Sequence, residues 1–241
     1  MTSIEALATT EGRSDHRDAP RWMWLVIFGG SLLAVLLLGA AAGIVLPRPG
    51  QAMTTAPTAG SVSVGFSQDM TVHHRQAVSM AGVASERSSD PTIRTLAYDI
   101  ETSQLEQVGR MQGWLSLWDA PSTPTGAYMA WMEGDGAMSG MRHGSAMGDP
   151  GGGAATMPGM ASPADLDALR RSRGAEFDVL FLQLILRHHQ GGAPMLREGA
   201  ERAEVAQVRN LAAQMLAAQS AESQYITALL ERRGAQPLPK P

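Results

Sequence analysis

Residues 66–80 read FSQDMTVHHRQAVSM, and residues 181–195 read FLQLILRHHQGGAPM. Superposing the two His-His pairs also aligns Phe66 with Phe181, Gln68 with Gln183 and Met80 with Met195, without a gap. The same offset carries Glu86-Arg87 onto Glu201-Arg202, Ile93-Arg94 onto Val208-Arg209, Leu96-Ala97 onto Leu211-Ala212, Gln104 onto Gln219 and Leu115 onto Leu230. Self-similarity at a fixed spacing marks an internal duplication, here of a unit of roughly 50 residues.

Each unit reads as two helices. The first runs through the His-His motif. In the first copy the second helix starts after SSDP, where Asp90 suits an N-cap and Pro91 the first helical position, and its apolar period continues through Ile93, Leu96, Ala97, Ile100, Gln104, Met111 and Trp114. Its counterpart runs from about Val205 to Arg233, with Gly234 where a helix stop belongs. No segment alternates as a strand does. Two helical hairpins with one apolar face each bury those faces together, so the expected fold is all-α, a four-helix bundle made of two duplicated hairpins.

At about 100° per residue, Met70, His73, His74, Ala77 and Met80 fall on one face of their helix. Ile185, His188, His189, Gly192 and Met195 fall on the matching face of the second copy. Pro194, close to Gly191 and Gly192, is expected to kink that helix. Gln104, Gln219, Gln107 and Glu222 are available as polar partners for the imidazoles, although an exposed helical face accounts for them equally well.

The flanks differ in kind. Residues 22–46, WMWLVIFGGSLLAVLLLGAAAGIVL, carry no charge and are long enough to cross roughly 30 Å of hydrocarbon. Arg13, Arg17 and Arg21 precede this stretch and only Arg48 follows closely, which orients residues 1–21 toward the cytoplasm and exports the remainder. A cleaved signal sequence is the rival to a single-pass anchor, because GAAAG offers small residues, but the apolar run exceeds the usual 7–15 or so of a signal peptide. Residues 47–62, rich in Pro, Gly, Thr and Ala, read as a flexible linker, and the helical domain spans 63–235.

Between the hairpins, residues 119–163 form a long Gly- and Met-rich loop, either functional or disordered. It holds Met129, Met132, Met138, Met141, His143, Met147, Met157 and Met160, with Met-x-x-Met three times. Ser162-Pro163 then resembles the cap and first residue of a short helix.

Composition narrows the chemistry. The 241-residue chain has no cysteine, which removes disulfides, thiolate zinc sites, iron–sulfur clusters and blue-copper sites. A net charge of -4 without a basic stripe gives no footprint for nucleic acid. Imidazole and thioether without thiolate favour Cu(I), with Ag(I) by analogy and Cu(II) through the histidines alone. A di-iron centre needs Glu-x-x-His, and the residues three before the histidines are Met70, Thr71, Ile185 and Leu186. Methionines at helical spacing are commonly core filler, and buried histidines also serve as hydrogen-bonded core residues, so a metal-free histidine network stays open beside a metal site.

FDVLFLQLILRHHQGGAPM, FSQDMTVHHRQAVSM, LAYDIETSQLEQVGRMQGWLSLW and MPGM together resemble the DUF305 family, over about residues 63–235. That resemblance implies a ferritin-like four-helix bundle and a role in copper binding or resistance outside the cytoplasm. It also implies His73, His74, Met80, His188, His189 and Met195 as ligand candidates. Two positions depart from the family pattern: Leu184 or Ile185 replaces the methionine before the second His-His pair, and Gln107 replaces an acidic residue. The expected protein is thus a membrane-anchored, non-catalytic copper-sequestering protein or chaperone that exchanges the ion with copper-export or copper-transfer partners. The alternatives are an envelope scaffold with a buried histidine network and an oxidoreductase using bound copper. Because coordinating imidazoles must be deprotonated, binding is expected to weaken as pH falls through about 6.5.

Overall fold

A computed structural model describes residues 56–132 and 156–239. They form five α-helices, α1 (Val62–Arg87), α2 (Pro91–Leu117), α3 (Pro163–Arg171), α4 (Gly174–Arg202) and α5 (Ala206–Arg232), and one 3₁₀ turn at Ala130–Met132. There is no strand among the described residues. Helices α1 and α2 form one hairpin, α4 and α5 the other, and the hairpins meet where α1 packs on α4. The two central helices run antiparallel, because Gly199 faces Phe66 while Gly192 faces His73.

Local signals set the helix ends. Ser61 accepts the Val64 N–H at the start of α1, Asp90 accepts the Thr92 N–H ahead of Pro91, and Ser162 and Asp165 close a capping box on α3. Gly234, at φ 65°, ends α5 in the left-handed region that glycine enters freely. The α-helix continues unbroken from Gly174 to Arg202 through Pro194, and the neighbouring glycines have another use, described below.

The core divides into two clusters. One holds Ile93, Ile100, Phe177, Phe181, Leu182, Leu184, Ile185 and Ile226, with Met80 as its methionine. The other holds Met70, Met111, Met129, Met132, Met157, Met195 and Met215 around Phe66. Along α1 the histidines lie between Met70 of the second cluster and Ala77 of the first, and along α4 between Ile185 of the first and Met195 of the second. The four imidazoles therefore form a layer between two unlike poles.

The described residues at both ends of the inter-hairpin stretch, read as 119–163, are built into this core. Asp69, itself buried, accepts the Met129 N–H at 2.7 Å and the Trp131 indole N–H at 2.8 Å. Gly65 makes room for that indole, since a Cβ there would come within 2.5 Å of it, and Trp131 meets Phe66 edge-on at 5.9 Å. At the other end the Gln76 amide donates to the Ala161 carbonyl at 2.9 Å and accepts the Ala161 N–H at 2.6 Å. Unbranched thioether side chains fill irregular gaps, and Met129, Met132 and Met157 are buried accordingly, with Met160 half-buried beside them. Met138, Met141, His143 and Met147 lie outside the described residues, as do residues 1–21 and the apolar stretch 22–46. Among the described residues no helix is long and apolar enough to cross a membrane. The linker read as 47–62 ends inside the fold: Val62 is buried, and Glu204 accepts the N–H groups of Val62 and Ser63.

Candidate metal centre

Each of the four histidines among the described residues is held by one ring nitrogen. His73 Nε2 donates to the Pro158 carbonyl at 3.2 Å, and His188 Nε2 to the His73 carbonyl at 3.0 Å. His74 Nε2 donates to the Gln107 amide oxygen at 2.8 Å, and His189 Nε2 to the Glu222 carboxylate at 2.7 Å. These acceptors carry no hydrogen of their own, so every neutral ring is the Nε2–H tautomer and every Nδ1 is a bare lone pair. All four Nδ1 atoms are buried and none has a hydrogen-bond partner. Leaving such an acceptor unpaired costs about 1–3 kcal/mol.

The rings converge most closely across the hairpins. The centroids of His73 and His188 lie 3.8 Å apart at 36°, whereas His73–His74 and His188–His189 are 6.4 and 6.3 Å apart. Gly192 permits this approach, because a Cβ there would stand 2.9 Å from His73 Cε1. Gly191 seats the Pro158-Gly159 backbone against α4, with Gly159 at φ 81°, and so delivers the carbonyl that holds His73. The two glycines are close-approach sites. Among the described residues, no group of three or more His, Asp or Glu side chains is disposed to hold a metal ion on its own.

Burial lowers the basicity of the layer. Desolvation brings His73 down to about 4, partly opposed by its bond to Pro158. Desolvation, reinforced by the neighbouring His73, brings His74 down to about 3, and the same two causes hold His188 well below the ordinary imidazole value. In the folded chain these three rings stay neutral well below pH 6.5.

The candidate thioethers do not gather at one point. A heptad advances about 10 Å along a helix, and α1 and α4 are antiparallel, so Met80 and Met195 lie on opposite sides of the histidine layer. The layer has Met70 and Met195 on one side, with Met129, Met132 and Met157 contributed by the inter-hairpin stretch. Three matched positions of the duplication diverge in concert. Met70 pairs with Ile185, Met111 with Ile226 and Met215 with Ile100; each methionine belongs to one cluster and each isoleucine to the other. Gln104 and Gln219 are buried, but Gln104 has no partner for either side-chain polar atom and Gln219 none for Oε1; Gln107 and Glu222 are the side chains that hold His74 and His189.

The DUF305 profile, a domain of unknown function, matches residues 63–230. No curated protein matches the chain. A DUF305 protein from Streptomyces coelicolor is 36% identical, with 76% of this chain and 99% of that one covered and a TM-score of 0.65. A DUF305 fragment from Deinococcus radiodurans is 31% identical, with 73% and 99% covered and a TM-score of 0.56. CopM in its Cu(I)-bound form, at 23% identity over 69% of this chain and 94% of that one, shares the fold with a TM-score of 0.50. The doubled His-His hairpins, the family profile and the extent of these likenesses agree: the chain belongs to the DUF305 family.

Proposed function

We propose that the protein binds Cu(I) and Ag(I) as cargo outside the cytoplasm, sequestering the ion or handing it to a copper-export or copper-transfer partner, and that it performs no catalysis. The observation that carries this reading is the set of four buried Nδ1 atoms without a hydrogen-bond partner. A soft cation bound by them removes that penalty, and imidazole with neighbouring thioether is the donor set such ions prefer. The second-sphere bonds to Pro158, His73, Gln107 and Glu222 fix ring orientation and tautomer, which is how ligating histidines are ordinarily prepared. CopM, which shares the fold, is known in Cu(I)-, Cu(II)- and Ag-bound forms. Residues 22–46 would tether the bundle to the membrane, or release it if that segment is cleaved. A metal-free scaffold with a hydrogen-bonded histidine network is less well supported, because such a network would supply each Nδ1 with a donor.

The test is Ag(I) titration of the purified full-length chain in detergent, followed by nitrogen NMR of labelled histidines. The expected result is a shift of the Nδ1 resonances at saturating Ag(I) while the Nε2–H signals persist. Nδ1 resonances that stay in place would overturn the assignment.

A further inference from the structure

A cation bound within the histidine layer must reach nitrogens that have no contact with solvent, and the two hairpins differ in the access they offer. Between α4 and α5 lies a cleft of about 250 Å³ whose lining includes His189, Ala193, Gln219, Ser220 and Ser223. Of the four layer histidines, His189 is the one in that lining. Gln219 is buried, lines the same cleft and leaves its Oε1 without a partner. The Glu222 carboxylate, bonded to His189 and partly exposed, adds a negative charge on the same helix.

At three of the corresponding places the first hairpin carries bulkier residues, Val78 for Ala193, the exposed Leu105 for Ser220 and Val108 for Ser223, while Leu196 of the cleft lining is matched by the smaller Ala81. Val108 is buried, so its isopropyl group fills interior space where the second hairpin has only a half-buried hydroxymethyl. The bond partner of His74 is likewise the neutral Gln107 instead of a carboxylate. Steric room and a carboxylate thus coincide on one side of the bundle, whereas an unpaired glutamine oxygen is present on both, at Gln219 and at Gln104.

We infer that the soft cation enters and leaves the histidine layer through the α4–α5 cleft, with His189 the first imidazole it meets and Gln219 Oε1 a transient acceptor on the way. This rests on the metal-binding function proposed above and adds to it a direction of access. Since the ion passes unchanged in charge, the step is a ligand exchange with water and needs no electron or proton donor.

The experiment fills the cleft with residues that the first hairpin already tolerates. In the Ala193→Val/Ser223→Val variant of the full chain, Ag(I) association and dissociation are followed by stopped-flow tryptophan fluorescence, with helicity checked by circular dichroism. Both rates are expected to fall about tenfold or more while affinity and stoichiometry hold, since an obstructed route slows both directions equally. Unchanged rates would overturn the route, and so would a lower association rate with unchanged dissociation, which marks damage to the binding site. Should the double variant fail to fold, Ser223→Thr is expected to slow both rates to a smaller, equal degree, and wild-type rates in that variant would refute the route. A wild-type chain that takes up no Ag(I) would instead refute the metal-binding function itself.

Discussion

At the pole of the bundle containing Phe66, the duplicated hairpins bring Met70, Met111, Met195 and Met215 together, and at the opposite pole the matching residues are Ile185, Ile226, Met80 and Ile100. Methionine and isoleucine have similar volumes, and volume-conserving exchanges in a core usually cost less than about 1.5 kcal/mol. Packing therefore has little preference between them at these positions. What differs between the poles is sulfur. The same pole receives Met129, Met132 and Met157 from the inter-hairpin stretch, so both sources of methionine feed one end of the histidine layer. A duplication that began with equivalent ends has acquired a soft end and an aliphatic end.

The largest expected effect concerns the layer between the poles. Below about 6.5 the unfolded chain takes up protons that the folded His73, His74 and His188 resist, so the unfolded state binds more protons and stability falls as pH falls. The loss continues until the folded rings titrate, near 4 for His73 and near 3 for His74. For His73 alone it is on the order of 3 kcal/mol. Urea denaturation of the ion-free protein between pH 7.5 and 4 is expected to show this decline, and a flat profile would mean that the rings are not held neutral.

Next in size is the exchange of poles. Replacing Met70, Met111 and Met215 by isoleucine gives these matched positions the same residue at both poles; urea midpoints are expected to change little, whereas Ag(I) affinity is expected to drop about 100-fold, close to 2.7 kcal/mol. Equal affinity would reduce the asymmetry to interchangeable packing. Gly191→Ala tests the seat of the Pro158-Gly159 backbone on one helix only. The added methyl meets main chain, which yields poorly, and a stability loss of about 2 kcal/mol is expected by calorimetry. The smallest effect belongs to Glu222→Gln, which gives His189 the kind of partner His74 has. Exchanging a charge-assisted bond for a neutral one is expected to weaken Ag(I) binding by about 1 kcal/mol in competition titrations.

The repeating features of the sequence locate most of this architecture. The His-His offset reveals the duplication, the apolar period delimits the four long helices, Asp90 and Gly234 mark two of their ends and Ser162 the start of the short α3, because each signal is local in the chain. The burial of His73, His74, His188 and His189 follows from the helical period alone. The separation of Met80 from Met195 does not, because it depends on the antiparallel crossing of α1 and α4, a tertiary relation that no single helix encodes. The Pro158 carbonyl that holds His73 arrives from 85 residues away, in a stretch whose Gly, Pro and Met carry no period. Gly191 and Gly192 pointed to a bend beside Pro194, whereas their lack of a side chain serves a neighbouring segment and a neighbouring ring. Gln107 and Glu222 were legible as polar residues at matched positions, and only packing shows which imidazole each one holds.

The tie between Asp69 and the Met129–Trp131 backbone and ring, and that between Gln76 and Ala161, fasten the chain on both sides of residues 133–155. Lengthening a closed segment adds only about 0.6 kcal/mol per doubling. With both moorings fixed to α1, the helix that carries His73 also sets where the two ends of this span sit, and with the second of them the Pro158 carbonyl that holds His73.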